Sequence, residues 1–95
     1  MTLYVLSCVD KADSLERRMA AREAHLAYVA NNRAMVRIAG PYLDEEGRMI
    51  GSMFVMEAPD RAAVEAFSAA DPYRQADLFE RVDISIWRIS VGAIA

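Results

Sequence analysis

The strand segments of this chain are apolar on both faces, and this pattern constrains the fold more than any other feature of the sequence. One face of the segment over residues 3–9 carries Leu3, Val5 and Val9, and the other face carries Tyr4, Leu6 and Cys8. The segment over residues 49–57 repeats the pattern. An antiparallel sheet with one solvated face would alternate apolar and polar residues. The sequence therefore predicts a sheet that is covered on both faces.

The regular segments follow one another as strand, helix, strand, strand, helix, strand. The predicted strands span residues 3–9, 34–42, 49–57 and 81–89, and the predicted helices span residues 14–30 and 60–70, with a short helical turn at 74–78. This order, with right-handed crossovers, predicts an α+β fold: a ferredoxin-like βαββαβ four-stranded antiparallel sheet with both helices on one face. Because two helices cover only one face, we expect a second copy to cover the other, giving a homodimer through sheet faces.

Length and composition narrow the class of protein. Ninety-five residues predict a single domain over residues 1–95, and 55% hydrophobic with 26% charged residues is typical of a globular protein. There is no membrane-length apolar run and no recognisable leader, so we expect a cytoplasmic protein without membrane contact. A net charge of −3 argues against nucleic acid as a partner.

With one cysteine, one histidine and no Gly-rich phosphate loop, we expect neither a metal nor a cofactor. Cys8 is interpreted as a buried strand residue rather than a catalytic thiol.

The first helix carries the candidate site. Arg18, Arg22 and His25 occupy positions i, i+4 and i+7, which places two cations and the single histidine on one stripe. The apolar positions of the same helix, Leu15, Met19, Leu26 and Val29, recur at helical period beside that stripe. The pattern predicts that the apolar residues face the core and that the polar stripe runs along its edge. Guanidinium and imidazole groups there need a carboxylate, another acceptor or a ligand anion.

Each residue of the stripe has a functional and a structural interpretation. His25 can act as a general base or acid, or it can simply hydrogen-bond a backbone carbonyl. Asp10, where the first strand ends, can orient the imidazole as the third member of a catalytic triad does, or it can be a turn former. Arg18 and Arg22 suit a small anionic molecule such as a carboxylate or an enolate, or they pair with carboxylates of the chain, with Asp71, Asp10 and Glu23 as the candidates.

Two further motifs lie outside the helix. Gly51-Ser52 interrupts a bulky strand, which indicates close backbone approach by a ligand or a bulge, and Ser52 then offers a hydroxyl to a ligand. Asp71-Pro72-Tyr73 combines a carboxylate, a rigid turn and a phenol after the second predicted helix, and as a turn signature alone it is common.

The order and spacing of these motifs resemble the YciI-like (YCII-related) family, from the first strand to about Trp87. The motifs that carry the resemblance are Leu3-Tyr4-Val5, Asp10-Lys11-Ala12-Asp13-Ser14-Leu15, Arg18-x-x-x-Arg22-x-x-His25-Leu26, Ala39-Gly40-Pro41, Gly51-Ser52 and Ala70-Asp71-Pro72-Tyr73. The resemblance implies a dimeric α+β barrel whose pocket holds a His and an Asp as the candidate catalytic pair. By motif match this pair is His25 and Asp10, and the surrounding substrate-binding residues are Arg18, Arg22, Ser52, Asp71 and Tyr73. One branch of the family removes chloride from chlorinated hydroxyhydroquinones as a dehydrochlorinase. The chain departs from the family in a short hairpin, Asp44 to Arg48, and an apolar tail, Ile89 to Ala95.

Three hypotheses about function follow. The first is a small cofactor-independent enzyme, of the lyase (dehydrochlorinase) or isomerase type, in which His25, held by Asp10, moves a proton on a small anionic cyclic or aromatic substrate bound by Arg18 and Arg22. The second is a dimeric small-molecule-binding or accessory protein that holds the anion without turnover. The third is a cofactor-free monooxygenase-like barrel protein, which an aromatic content of only 8% disfavours.

Overall fold

The computed structural model describes residues 1–94 and shows a four-stranded antiparallel sheet with its helices packed on one face. The elements are β1 (Thr2–Asp10), α1 (Leu15–Ala30), β2 (Val36–Leu43), β3 (Met49–Ala58), α2 (Arg61–Ala70), α3 (Pro72–Gln75) and β4 (Phe79–Trp87). The strand order is β2-β3-β1-β4, and each neighbouring pair is antiparallel. The predicted ferredoxin-like fold is confirmed.

The segment between α2 and β4 differs from the prediction, and the capping geometry explains the difference. Asp71 leaves the helical conformation with φ −61° and ψ 129°, which ends α2, and its side chain accepts a hydrogen bond from the Tyr73 N–H. Pro72 then occupies the first turn of α3, where its missing N–H costs nothing. The short helix therefore begins at Pro72, not at residue 74. β4 correspondingly begins at Phe79, which pairs with Asp10 beyond a register shift.

The core lies between the helices and one face of the sheet. Tyr4, Leu6 and Cys8 of β1 are buried there, together with Phe54 and Met56 of β3. Cys8 is 1% exposed, which confirms its interpretation as a buried strand residue. Burial, with a smaller contribution from a neighbouring carboxylate, raises the pKa of the Cys8 thiol to about 12. The thiol is therefore protonated at neutral pH and behaves as a small apolar side chain.

Helix α1 is oriented differently from the expectation that its apolar residues face the core. Its buried residues are Arg18 and His25, at 2% and 7% exposure. Met19 and Leu26 are exposed to 51% and 47%, whereas Val29 packs against the core as expected. The prediction that the polar stripe lies only at the edge of the buried face was wrong for Arg18 and His25. The reason is that partners from β1, β3 and the start of α3 satisfy these groups, which allows them to lie inside.

The opposite face of the sheet carries no helix in the described part of the chain. Ile38, Val55 and Val5 lie side by side across β2, β3 and β1, because β3 pairs with both of the other strands at Val55. Ile38 is 56% exposed, and Trp87 at the end of β4 is 40% exposed. The middle of this face is apolar, as the strand pattern predicted, but its β4 side carries Ser85 and Asp83, which lie opposite Val5 and Ser7. None of the helices over residues 1–94 is both long and apolar enough to span a membrane.

Candidate functional site

A small cleft opens between α1 and the β2–β3 side of the sheet. Its volume is about 100 Å³. The lining residues come from α1, β2, β3 and α3: Arg18, Arg22, His25, Leu26, Val29, Ala39, Gly40, Pro41, Met49, Ser52, Phe54 and Tyr73. Most of this lining is apolar, and the polar groups come from α1 and from Ser52 and Tyr73 on the facing side. Among residues 1–94 there is no group of three or more His, Cys, Asp or Glu side chains placed to hold a metal ion.

His25 is held by Asp71. The imidazole Nδ1 lies 2.8 Å from Asp71 Oδ1, which also accepts a hydrogen bond from the Tyr73 backbone N–H at 2.9 Å. Because an ionised carboxylate only accepts hydrogen bonds, this contact places the imidazole proton on Nδ1 and leaves the lone pair on Nε2. Nε2 has no hydrogen-bond partner within residues 1–94. Because every buried side-chain nitrogen or oxygen there has a partner, Nε2 is not fully buried, and it is accessible from the cleft that His25 lines.

The expected pairing of His25 with Asp10 was wrong. Asp10 ends β1 next to the first turns of α1, and Arg18 lies there. His25 follows Arg18 by seven residues, which is about 10 Å along a helix axis. Asp71 reaches that level of the helix because α2 carries the chain back across the sheet before the turn at Pro72. Asp71, expected around a bound substrate or as the partner of an arginine, therefore holds the histidine instead.

Arg18 is a buried cation whose Nε and Nη2 atoms are hydrogen-bonded within the protein. Its Nε donates to Asp10 Oδ2 at 2.9 Å, and its Nη2 donates to Asp10 Oδ1 at 3.5 Å and to Ser52 Oγ at 2.6 Å. Nη2 also donates to the Gly51 carbonyl oxygen. Asp10 and Arg18 are 5% and 2% exposed at their side chains, so this is a buried ion pair. Ser52, expected to bind a ligand, uses its hydroxyl to accept from Arg18 on the wall of the cleft.

Arg22 differs from Arg18 in having no partner among residues 1–94. It lines the cleft one turn further along α1 and is exposed. Its guanidinium forms no hydrogen bond or ion pair with any residue from 1 to 94, so neither Asp71, Asp10 nor Glu23 neutralises it. The structure thus separates the two arginines of the stripe. Arg18 is used inside the protein, and Arg22 remains available to a ligand.

The ring of Tyr73 contacts both Arg18 and His25 of the polar stripe. Its ring stacks on His25 with centroids 3.8 Å apart and an interplanar angle of 13°. The guanidinium carbon of Arg18 lies 4.5 Å from the centroid of the same ring. Since Arg18 and His25 are two helical turns apart, the ring that contacts both lies between them. Burial raises the pKa of the Tyr73 phenol, against the opposing charges of Arg18 and Arg22. The phenol is therefore neutral at pH 7.

Gly51 is explained by protein contacts rather than by a ligand. A Cβ atom at this position would lie 2.5 Å from the Cys8 carbonyl oxygen and 2.9 Å from the ring carbon Cδ2 of Tyr42. The close approach that the sequence indicated is therefore made by the neighbouring strands. The carbonyl of Gly51 also accepts from Arg18, which links this glycine to the buried ion pair.

Sequence comparison identifies the family. The sequence profile of the YCII-related domain matches residues 2–88. The chain belongs to the YCII-related family. It is 34% identical over 90 residues to Protein YciI of Escherichia coli, a match that covers 86% of this chain and 92% of that protein. An uncharacterized protein of Haemophilus influenzae is 31% identical over 87 residues, covering 83% of this chain and 89% of that one.

Solved structures agree with this assignment. The chain is similar to 5-chloro-2-hydroxyhydroquinone dehydrochlorinase from Burkholderia phenoliruptrix in complex with 2,5-dihydroxybenzoquinone, with a TM-score of 0.84 and 32% identity over 90% of this chain and 93% of that one. An antibiotic biosynthesis monooxygenase has a TM-score of 0.56 at 11% identity, covering 96% of this chain and 100% of that one. The second likeness shows a shared fold alone.

Proposed function

We propose that this YCII-related protein is a small cofactor-independent enzyme that moves a proton on a small, singly charged cyclic substrate. The observation that carries the proposal is the arrangement of three groups around one cleft. His25 Nε2 is open to the cleft, and Asp71 holds the opposite nitrogen of the ring. The guanidinium of Arg22, which has no partner among residues 1–94, lies on the same wall. A base and an anion-binding group on one small cavity are the minimum that general-base catalysis on an anion requires.

The reaction type that fits this arrangement is an elimination or an isomerisation. A proton of the substrate passes to Nε2, and the electron pair of the broken bond moves into the ring of the substrate. In an elimination that pair expels a leaving group as an anion, and in an isomerisation the proton returns at another atom. The imidazolium formed in the first step is stabilised by the Asp71 carboxylate at 2.8 Å. Arg22 stabilises the negative charge that the substrate carries.

The dehydrochlorinase likeness supports elimination of chloride as the reaction to test first. At 32% identity and with 90% of the chain covered, the similarity extends across the whole fold. We therefore propose chlorinated hydroxyhydroquinones as the first substrate class for this chain. The step involves only a proton and a chloride ion, so the proposal assigns no cofactor. The polar groups that the reaction needs all lie on α1 and at the start of α3.

We also propose that the protein is a homodimer through the open sheet face. The middle of that face is apolar across β1, β3 and β2, at Val5, Val55 and Ile38, and Ile38 and Trp87 are about half exposed in the single chain. Burial of apolar surface favours association by roughly 25 cal/mol per Å². A second copy related by twofold symmetry would cover the face with an identical apolar surface.

The experiment measures chloride release from 5-chloro-2-hydroxyhydroquinone under anaerobic conditions, for the wild type and for His25→Gln. The expected result is release above the buffer rate, reduced by roughly 10²–10⁴-fold in the variant, which is the usual contribution of a general base. Circular dichroism of both proteins controls for the fold. Equal rates in the two proteins would remove His25 from the mechanism. Binding of 2,5-dihydroxybenzoquinone without any chloride release would favour the non-catalytic binding protein instead.

A further inference from the structure

A groove lies next to the cleft, between the start of α1 and the β2–β3 hairpin. Its volume is about 520 Å³, whereas that of the cleft is about 100 Å³. Its lining includes the apolar side chains of Val9, Leu15 and Ile50, each of which is more than a third exposed. Exposed apolar side chains in a cavity can bury an apolar part of a ligand. The groove therefore has room for a further ring of any ligand that reaches it from the cleft.

The two cavities are separated by one flexible side chain and one ion pair. Met49 lines both of them, and no other residue from 1 to 94 does so. Beside it, Asp10 lines the groove and Arg18 lines the cleft, and their side chains are bonded at 2.9 Å and buried. The ion pair is thus a fixed part of the partition. Met49 is partly exposed and unbranched, and such a side chain adapts readily to its surroundings.

We propose that Met49 is a specificity-determining residue that limits the cleft to ligands with a single ring. Its side chain closes the cleft towards the groove, so a second ring attached to the ligand meets the methionine. Truncation of this side chain would join the two cavities. This size limit rests on the anion cleft of the proposed function and defines the substrate class further, as small monocyclic anions.

The charges of the two cavities determine which end of a larger ligand would enter the groove. Arg22 lines the cleft and has no partner among residues 1–94. Asp13 and Glu16 line the groove and form no ion pair within the same range, while the basic residues of the groove are paired with carboxylates. An anionic group therefore favours the cleft over the groove. The outer ring of such a ligand would pack against Leu15 and Ile50.

The test compares the binding of two carboxylates that carry the same charge and differ by one ring. The probes are benzoate and biphenyl-4-carboxylate, titrated by calorimetry at pH 7 without any turnover. The variants are Met49→Ala, Met49→Val and Met49→Leu. Leucine nearly conserves the volume of methionine and is the matched control, whereas valine shortens the side chain and retains a high strand propensity. Circular dichroism of each variant controls for the fold.

We expect the wild type to bind benzoate at least about tenfold more tightly than biphenyl-4-carboxylate. In Met49→Ala, the affinity for biphenyl-4-carboxylate should rise by about tenfold to a hundredfold, the usual effect of burying one aromatic ring, while that for benzoate stays within about threefold. Met49→Val should show a smaller gain, and Met49→Leu should keep the wild-type preference.

Three results would overturn the role of Met49 while leaving the anion cleft in place. They are equal affinity of the wild type for both probes, an unchanged preference in the folded alanine and valine variants, and an equal gain in Met49→Leu. Wild-type protein that binds neither probe would overturn this role together with the anion cleft on which the proposed function rests.

Discussion

The buried ion pair between Asp10 and Arg18 gives the sharpest prediction about which arginine is structural. Replacing Arg18 with Met would leave the Asp10 carboxylate, whose side chain is 5% exposed, without its cation. It would also remove the donor to Ser52 Oγ and the Gly51 carbonyl. Breaking a buried ion pair by removing one partner costs about 3–5 kcal/mol. A domain of this size has a stability of about 5–15 kcal/mol, so we expect Arg18→Met to lose a large part of it.

The matched control is Arg22→Met, which makes the same substitution one turn along the same helix. Arg22 is exposed and has no ion pair within residues 1–94, so its replacement should change the free energy of unfolding by no more than about 0.5 kcal/mol. Both variants are measured by urea denaturation followed by circular dichroism at pH 7. The protein concentration is kept fixed, because association would otherwise shift the midpoint.

A double-mutant cycle with Asp10→Asn tests the pair itself. If the loss in Arg18→Met comes from an unpaired buried carboxylate, removing that charge recovers part of it. We expect Asp10→Asn/Arg18→Met to be more stable than the sum of the single losses predicts, by about 1–3 kcal/mol. Equal costs for Arg18→Met and Arg22→Met, or additive losses in the double variant, would refute this reasoning. Arg18 would then be free enough to bind a ligand, as the sequence alone allowed.

Three further predictions follow from other parts of the structure. Gly51→Ala should destabilise the fold by about 1–3 kcal/mol in thermal or urea unfolding, because the new methyl group meets the Cys8 carbonyl oxygen at 2.5 Å; an unchanged midpoint would contradict this. The thiol of Cys8 ionises in the unfolded chain near pH 9 but only at about pH 12 in the folded protein, so stability falls as pH rises through this range. By pH 10 wild type should lose about 1.4 kcal/mol more than Cys8→Ala, and parallel pH profiles would contradict the assignment. Sedimentation should show a dimer at micromolar concentration, with Ile38→Glu shifting it towards monomer, whereas a wild-type monomer would refute the dimer proposal.

The fold was predictable because local patterns in this sequence agree with the global arrangement. Strand segments end at glycine, proline or acidic turns, and the apolar pattern of β1 and β3 matches the observed pairing. The cleft residues were also recognisable as a group, because the stripe at Arg18, Arg22 and His25 lies on one side of a single helix. The least accurate boundary was that of α3. There, a proline that usually ends a helix instead begins one, since Asp71 caps it.

The partners of the polar residues could not be predicted from spacing along the chain. Asp10 and Asp71 are both carboxylates at the end of an element, and either is a plausible partner for His25 in the sequence. The choice depends on where α2 returns the chain relative to the turns of α1, which is a tertiary property. The same limit applies to the orientation of α1. The apolar residues of α1 outnumber the three polar residues of the stripe, but the hydrogen bonds available to Arg18 determine which side of the helix is buried.

The two arginines illustrate why the geometry of the site, rather than its composition, determines what it binds. Both guanidiniums lie on one helix, one turn apart, and both line the same cleft. Asp10 neutralises the first guanidinium, that of Arg18. The same group contacts Ser52, the Gly51 carbonyl and the ring of Tyr73. Because that inner cation is already matched, a ligand meets only the charge of Arg22. Replacing the Asp10 carboxylate with an amide in Asp10→Asn would free Arg18 as a second cation. The variant should therefore bind the doubly charged phthalate more tightly, relative to the singly charged benzoate, than the wild type does. No change in that ratio would show that the inner ion pair has no part in setting the charge of the ligand.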